Sequence, residues 1–153
     1  MTPRLNYAAA APQLLHAMMA LEKAVTSAGL EHSLIELVKT RASQINGCAF
    51  CINMHTRDAM KAGESAVRLF LLDAWRKAPH YTDRERAALA WTEALTLIAE
   101  THAPDAAYDG LRSHFFDAEI VQLSVLIGTI NAWNRLAIGF RNVPAQHPAA
   151  AAA

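Results

Sequence analysis

The sequence predicts an all-α fold, a single-domain helical bundle of about six or seven helices spanning residues 1–153. Three observations point there. Thirty-two of the 153 residues are alanine, the best helix former, against six glycines and six prolines that fall mostly near segment ends. Apolar residues recur at three- and four-residue steps along most of the chain, the period of an amphipathic helix. No β-type alternation of useful length and no fixed-period repeat interrupts that pattern. The length suits one domain, and a chain of this size buries roughly 70% of its extended surface without a covalent staple.

Each element follows from local signals. From Pro12 to Ala28, Leu14, Leu15, Met18, Leu21 and Val25 share a face, and Gly29 ends the helix. A second helix covers Glu31 to Ile45, with Leu34, Ile35, Val38 and Ala42 on one stripe; Asn46-Gly47 then supplies the left-handed stop that a helix end favours. A third runs from about Cys48 to Ala62 and stops at Gly63. Ser65 offers an N-cap to a fourth, about Ala66 to Lys77, which ends before Pro79. Thr82 with Glu85 forms a capping box that opens a long helix reaching Glu100. A short helix follows Pro104, near Asp105 to His114. The last, Ala118 to Phe140, is apolar nearly all round, as in a helix buried in a core or at a subunit interface. The core is therefore expected over about 12–142, with the tail 144–153 frayed.

Composition excludes several functions. Fourteen Lys plus Arg balance fourteen Asp plus Glu, so no net positive charge is available for binding nucleic acid. The two longest charge-free stretches, Leu5 to Leu21 and Ile120 to Asn134, fall short of the ~20 apolar residues a membrane span needs. The N-terminal region lacks the unbroken apolar run of a secretory signal, so a cytoplasmic location is expected. Charged residues are 18% of the chain against about 25% in ordinary domains, which makes buried subunit contacts, and hence a homo-oligomer, the expectation. Two cysteines do not make a disulfide framework; spaced C-x-x-C in a reducing compartment they point to redox or metal chemistry.

Residues 36–55 read ELVKTRASQINGCAFCINMH. On a helix, Cys48, Cys51 and His55 fall within about 60° of one another. Cysteines three apart have Cα atoms roughly 5–5.5 Å apart, inside the disulfide window, so the pair can close and open. Directly after Asn46-Gly47 they occupy a first turn, where unpaired N–H groups and the helix dipole lower a thiol's pKa. His55 is one turn beyond Cys51 and suits proton transfer. Glu36, on the preceding helix, either orients that imidazole or is a solvated side chain.

The pattern Glu36, eleven residues, Cys48-Ala49-Phe50-Cys51, three residues, His55 resembles the active-site motif of alkylhydroperoxidase D-like proteins of the carboxymuconolactone decarboxylase superfamily. The flanking LVKTRASQINGCAFC, NMHTRDAMKAGES and TDRERAALAWTEALT are similar as well, and the resemblance covers about residues 15–142. It implies an all-α fold assembled as trimers or hexamers. It also implies an antioxidant peroxidase that reduces organic hydroperoxides at the expense of a dithiol reductant or reductase protein, without cofactor or metal. By that carry-over Cys51 is the peroxidatic cysteine, Cys48 its disulfide partner, and His55 with Glu36 the proton relay. One departure is plain: the prototype has a second histidine just before the peroxidatic cysteine, where this chain has Phe50.

Other readings of the same residues stay open. Cys48, Cys51, His55 and Glu36 together supply four potential zinc ligands. The pair also fits an inert buried CxxC or a non-catalytic thiol switch. The decarboxylase branch is disfavoured because true carboxymuconolactone decarboxylases lack the cysteine pair. Trp75, Trp91 and Trp133 are expected in the core or an interface, and Asn131, Asn134 and Arg135 must find partners if buried.

Overall fold

A computed structural model describes residues 2–144. Over that span the chain is all-helical, with nine α-helices and one 3-10 turn, somewhat more pieces than the sequence predicts. The elements are α1 (Tyr7–Ala10), α2 (Pro12–Thr26), α3 (His32–Asn46), α4 (Ala49–Lys61), α5 (Ala66–Leu71), a 3-10 turn (Leu72–Ala74), α6 (Asp83–Thr96), α7 (Ile98–Thr101), α8 (Asp105–Arg112) and α9 (Asp117–Gly139). No helix among the described residues is long and apolar enough to cross a membrane. The expected fraying of the tail concerns residues 145–153, outside the described span.

The extra pieces have local causes. Asn6 caps α1 by accepting from the Ala9 N–H at 3.1 Å, a stop-and-start too short to show in apolar periodicity. The predicted helix 66–77 ends early: after α5 the chain tightens into the 3-10 turn, and Arg86 takes up carbonyls of the irregular segment that follows. Its Nη1 donates to Trp75 O at 2.9 Å, its Nε to Tyr81 O at 3.1 Å and its Nη2 to Ala78 O. Trp75, Ala78 and Tyr81 thereby turn inward and are buried with Leu37, Leu69, Leu72 and Leu89. The capping box at Thr82 and Glu85 is present, but the helix it opens breaks at Leu97. There the Thr101 hydroxyl donates to the Ala94 carbonyl at 2.6 Å, and α7 starts anew.

α3 is the central element, packed by α4, α6 and α9. One core joins Val25, Leu34, Ile35 and Val38 to Trp91, Leu111, Phe115 and Ile120, Leu123, Leu126 and Ile127. A smaller one holds Ala42, Cys48, Cys51, Ile130 and Ala137, so the cysteine corner is clamped between α3 and α9. The last helix is buried along one side only: Val121 is 63% exposed and Ile138 46%.

Candidate active site

Gly47 builds the corner on which the site depends. It sits at φ 68°, ψ 30°, the left-handed conformation glycine adopts without Cβ strain, and its N–H closes α3 onto the Ser43 and Gln44 carbonyls. Cys48 N–H also bonds Ser43 O, at 2.9 Å. The chain therefore turns within two residues into α4, with Cys48 as its N-cap: Cys48 Sγ accepts from the Cys51 N–H at 3.3 Å. Beyond it, Cys51, His55 and Ala59 are the buried stripe of α4, four residues apart.

All four residues of the sequence motif come together. His55 Nδ1 lies 2.9 Å from Glu36 Oε2, with both side chains 7% exposed. Glu36 is thus a buried partner of the imidazole and not a solvated side chain. Cys51 and His55 face a cavity of about 310 Å³, walled mainly by Tyr7, Met19, Phe50, Met54, Trp133 and Ala137. Cys48 opens instead onto a second cavity, of about 390 Å³, flanked by Arg4 and Arg141. Phe50 lies between the two and borders both, filling with an apolar ring the position of the prototype's second histidine.

Both cysteines are free thiols, and their proton affinities are pulled apart. The Cys48 thiol falls from an ordinary 9.0 to about 7, chiefly because the Cys51 S–H donates to it; burial opposes this, and the Cys51 N–H and Asn134 assist. Cys51 is raised, because its proton is held by Cys48 and because burial and the neighbouring thiolate both disfavour a second charge. The sequence expectation of a near-neutral thiolate in the first turn is therefore met at Cys48, the cap. It is not met at Cys51, whose own N–H is spent on its neighbour's sulfur.

Two residues of the cavity, and the lysine paired with one of them, carry no local sequence signal. Glu22 of α2 reaches in, ion-paired to Lys39, whose side chain is only 6% exposed, and accepts from Trp133 Nε1 at 3.1 Å. Trp75 and Trp91 are buried as expected, whereas Trp133 is a cavity wall. Their partners lie 17 and 111 residues apart in sequence, so only the assembled bundle reveals them. Among the described residues, no group of three or more His, Cys, Asp and Glu side chains is arranged to hold a metal ion. Glu36 is instead hydrogen-bonded to His55 Nδ1.

An all-helical bundle that sets a cysteine pair beside a buried His–Glu dyad defines a thiol-pair protein of the alkylhydroperoxidase D type. The chain belongs to the carboxymuconolactone decarboxylase family, whose model matches residues 12–94, and within that superfamily it is alkylhydroperoxidase D-like. The uncharacterized protein YdfG of Bacillus subtilis (strain 168) is 41% identical over 142 residues, covering 93% of this chain and 97% of the relative. A protein of unknown function from Agrobacterium tumefaciens, provisionally named as the antioxidant defence protein AhpD, has the same fold with TM-score 0.93. It is 51% identical and the match covers 95% of this chain and 100% of that one. An alkylhydroperoxidase AhpD core protein from Ralstonia eutropha JMP134, 20% identical, shares the fold at TM-score 0.80 over 90% of this chain and 74% of its own.

Proposed function

We propose that the protein is a cytoplasmic thiol peroxidase that reduces organic hydroperoxides at Cys51. The observation that carries this reading is that Cys51 and His55 share one largely apolar cavity while Glu36 holds the far nitrogen of the imidazole. With Nδ1 bonded to Glu36, His55 acts through Nε2. It takes the Cys51 proton as the sulfur attacks the O–O bond, and the imidazolium formed is stabilised by the Glu36 carboxylate. Cys51 becomes a sulfenic acid and the alkoxide leaves with the proton that His55 returns.

Cys48 is suited to the second step. It is the thiol of the reduced pair that gives up its proton more readily, and its thiolate displaces hydroxide from the Cys51 sulfenic sulfur. The hydroxide takes a proton to become water. Overall, two thiols and one hydroperoxide give a disulfide, an alcohol and water. A dithiol reductant then attacks Cys51 through the cavity, and Cys48 leaves as its thiolate. The reductant's second thiol then releases Cys51 and closes its own disulfide. A reducing compartment keeps such a reductant charged.

We also propose a homo-oligomer, a trimer or a hexamer. Supporting it are apolar side chains on the outer faces of α2 and α9, among them Leu14 at 71% exposure and Val121 at 63%. Light scattering at micromolar concentration should give a mass several times the chain's 16.7 kDa; a monomer refutes this part. For the activity, the protein is given cumene hydroperoxide and dithiothreitol. Turnover is expected, together with loss of two hydrogens across Cys48 and Cys51 in the oxidised protein. A Cys51→Ser protein as active as the wild type refutes the assignment, and stoichiometric oxidation without turnover identifies a thiol switch instead.

A further inference from the structure

The mechanism leaves one buried polar group of the site unused. Asn134, in the middle of α9, is 0% exposed, and its carboxamide points at the corner where α3 turns into α4. Its orientation is set by its neighbours. Asn46 Nδ2 donates to Asn134 Oδ1 at 2.8 Å and to Asn131 Oδ1 at 2.9 Å. Asn131 cannot take the opposite role, because its own Nδ2 is committed to Thr96 Oγ1 at 3.1 Å and Ile127 O at 2.8 Å. With its oxygen held by Asn46, Asn134 must present its NH₂ group to the other side. There Nδ2 donates to Ser43 Oγ at 3.1 Å, one hydrogen of two, and Ser43 Oγ in turn donates to Lys39 O. Ser43 is also the residue whose carbonyl holds the Cys48 N–H, and Ile130 and Ala137, on the same face of α9 as Asn134, pack with Cys48 and Cys51, so the amide group lies on the side of α9 that meets the cysteine corner.

We propose that Asn134 is a thiolate-stabilising residue: its Nδ2–H donates to the Cys48–Cys51 pair and holds the negative charge on the pair at neutral pH. This donor comes from outside the helix that carries the cysteines. A neutral amide is well suited here, since it stabilises a buried anion while adding no charge that would itself need a partner. Both thiols feel it in the same sense: contact with Asn134 lowers the proton affinity of Cys48 and of Cys51. It therefore favours the thiolate whichever sulfur holds the remaining proton. The charged or titratable groups around the pair are His55 of α4, Glu36 and Lys39 of α3, Glu22 of α2, and Arg4 and Arg141 at the mouth of the Cys48 cavity. Arg135 of α9 is turned to Asn131, donating to its backbone and side-chain oxygens.

The inference concerns the same site as the proposed peroxidase and rests on the pair being its reactive centre. Its test uses no peroxide, so the two can fail separately. Thiolate absorbance of the fully reduced protein is titrated from pH 5 to about 10 in the wild type, Asn134→Leu, Asn134→Ala and Asn131→Ala. Leucine keeps the volume of the buried side chain, and circular dichroism reports whether each variant is folded. A hydrogen bond to a charged group corresponds to an upward shift of the first midpoint by about one to two pH units in the Asn134 variants. Asn131→Ala keeps the Asn46–Asn134 bond and should leave the midpoint in place. An unmoved midpoint in either folded Asn134 variant overturns the proposal. So does an equal shift in Asn131→Ala, which would make the effect one of packing in α9.

Discussion

Replacing Glu36 with glutamine changes one charge in the site and little else, which makes it the sharpest probe of the relay. The carboxylate is buried, 2.9 Å from His55 Nδ1, and no arginine or lysine is among its ion-pair partners; its charge is available to the imidazole. When His55 takes the Cys51 proton, a neutral ring becomes a cation beside that carboxylate. A charge-assisted hydrogen bond of this kind is worth about 1.5–3 kcal/mol where a neutral one is worth about 1. Glutamine keeps an oxygen for Nδ1–H but supports the cation only as a dipole. The expected loss is therefore about 0.5–2 kcal/mol of transition-state stabilisation, a roughly two- to thirtyfold slower reaction at pH 7. Because Trp133 walls the same cavity, its fluorescence should follow single-turnover disulfide formation in a stopped-flow instrument. The dependence on peroxide concentration separates binding from chemistry. An unchanged rate and pH midpoint in Glu36→Gln refutes the relay and leaves Cys48, Cys51 and His55 to act alone.

Other expectations follow from the same geometry. Single-turnover disulfide formation should rise with pH through a midpoint near 7, because the reduced pair, in which the Cys51 S–H holds the Cys48 thiol at about 7, must lose a proton to react; a midpoint near 9 contradicts this. Cys48→Ser replaces a thiolate acceptor with a neutral hydroxyl and so removes the charge that raises Cys51, which should therefore ionise at lower pH than in the intact pair. Its sulfenic acid should then persist long enough for dimedone trapping, and the absence of an adduct argues against Cys51 as the attacking sulfur. Arg86→Ala should cost roughly 2–4 kcal/mol in urea unfolding, since buried carbonyls of residues 75–81 lose a charged donor. Burial opposes ionisation of Glu93, but Trp75 Nε1, Arg41 and Arg76 outweigh it and hold the carboxyl below the usual range. Its stabilisation is thus complete above the unfolded carboxyl pKa of about 4.3 and is lost as pH falls through the folded value. Glu93→Gln should flatten that part of the acid-unfolding curve while lowering stability at pH 7, and an unaltered curve contradicts the assignment.

Much of the site was legible along the chain because its parts are local. Apolar periodicity set the main helices to within a few residues, Asn46-Gly47 marked the left-handed corner, and one α4 face had to carry Cys48, Cys51 and His55 together. These are consequences of 3.6 residues per turn and of capping, interactions that span four residues or fewer. The bundle decided the rest. Glu36 is nineteen residues from His55, and only the packing of α3 on α4 turns a carboxylate of ambiguous role into a buried partner. Arg86 holds the irregular segment after α5 from eight to eleven positions away, donating to carbonyls that no helix pairs, which no local rule would foresee. Which sulfur ionises first depended on the direction of one S–H bond, and how readily the pair ionises depended on an amide 86 residues beyond Cys48 along the chain, Asn134. Local rules place atoms on a helix face. The charge those atoms carry is set by every dipole and burial term around them, and in a helical bundle those terms come from segments distant in sequence.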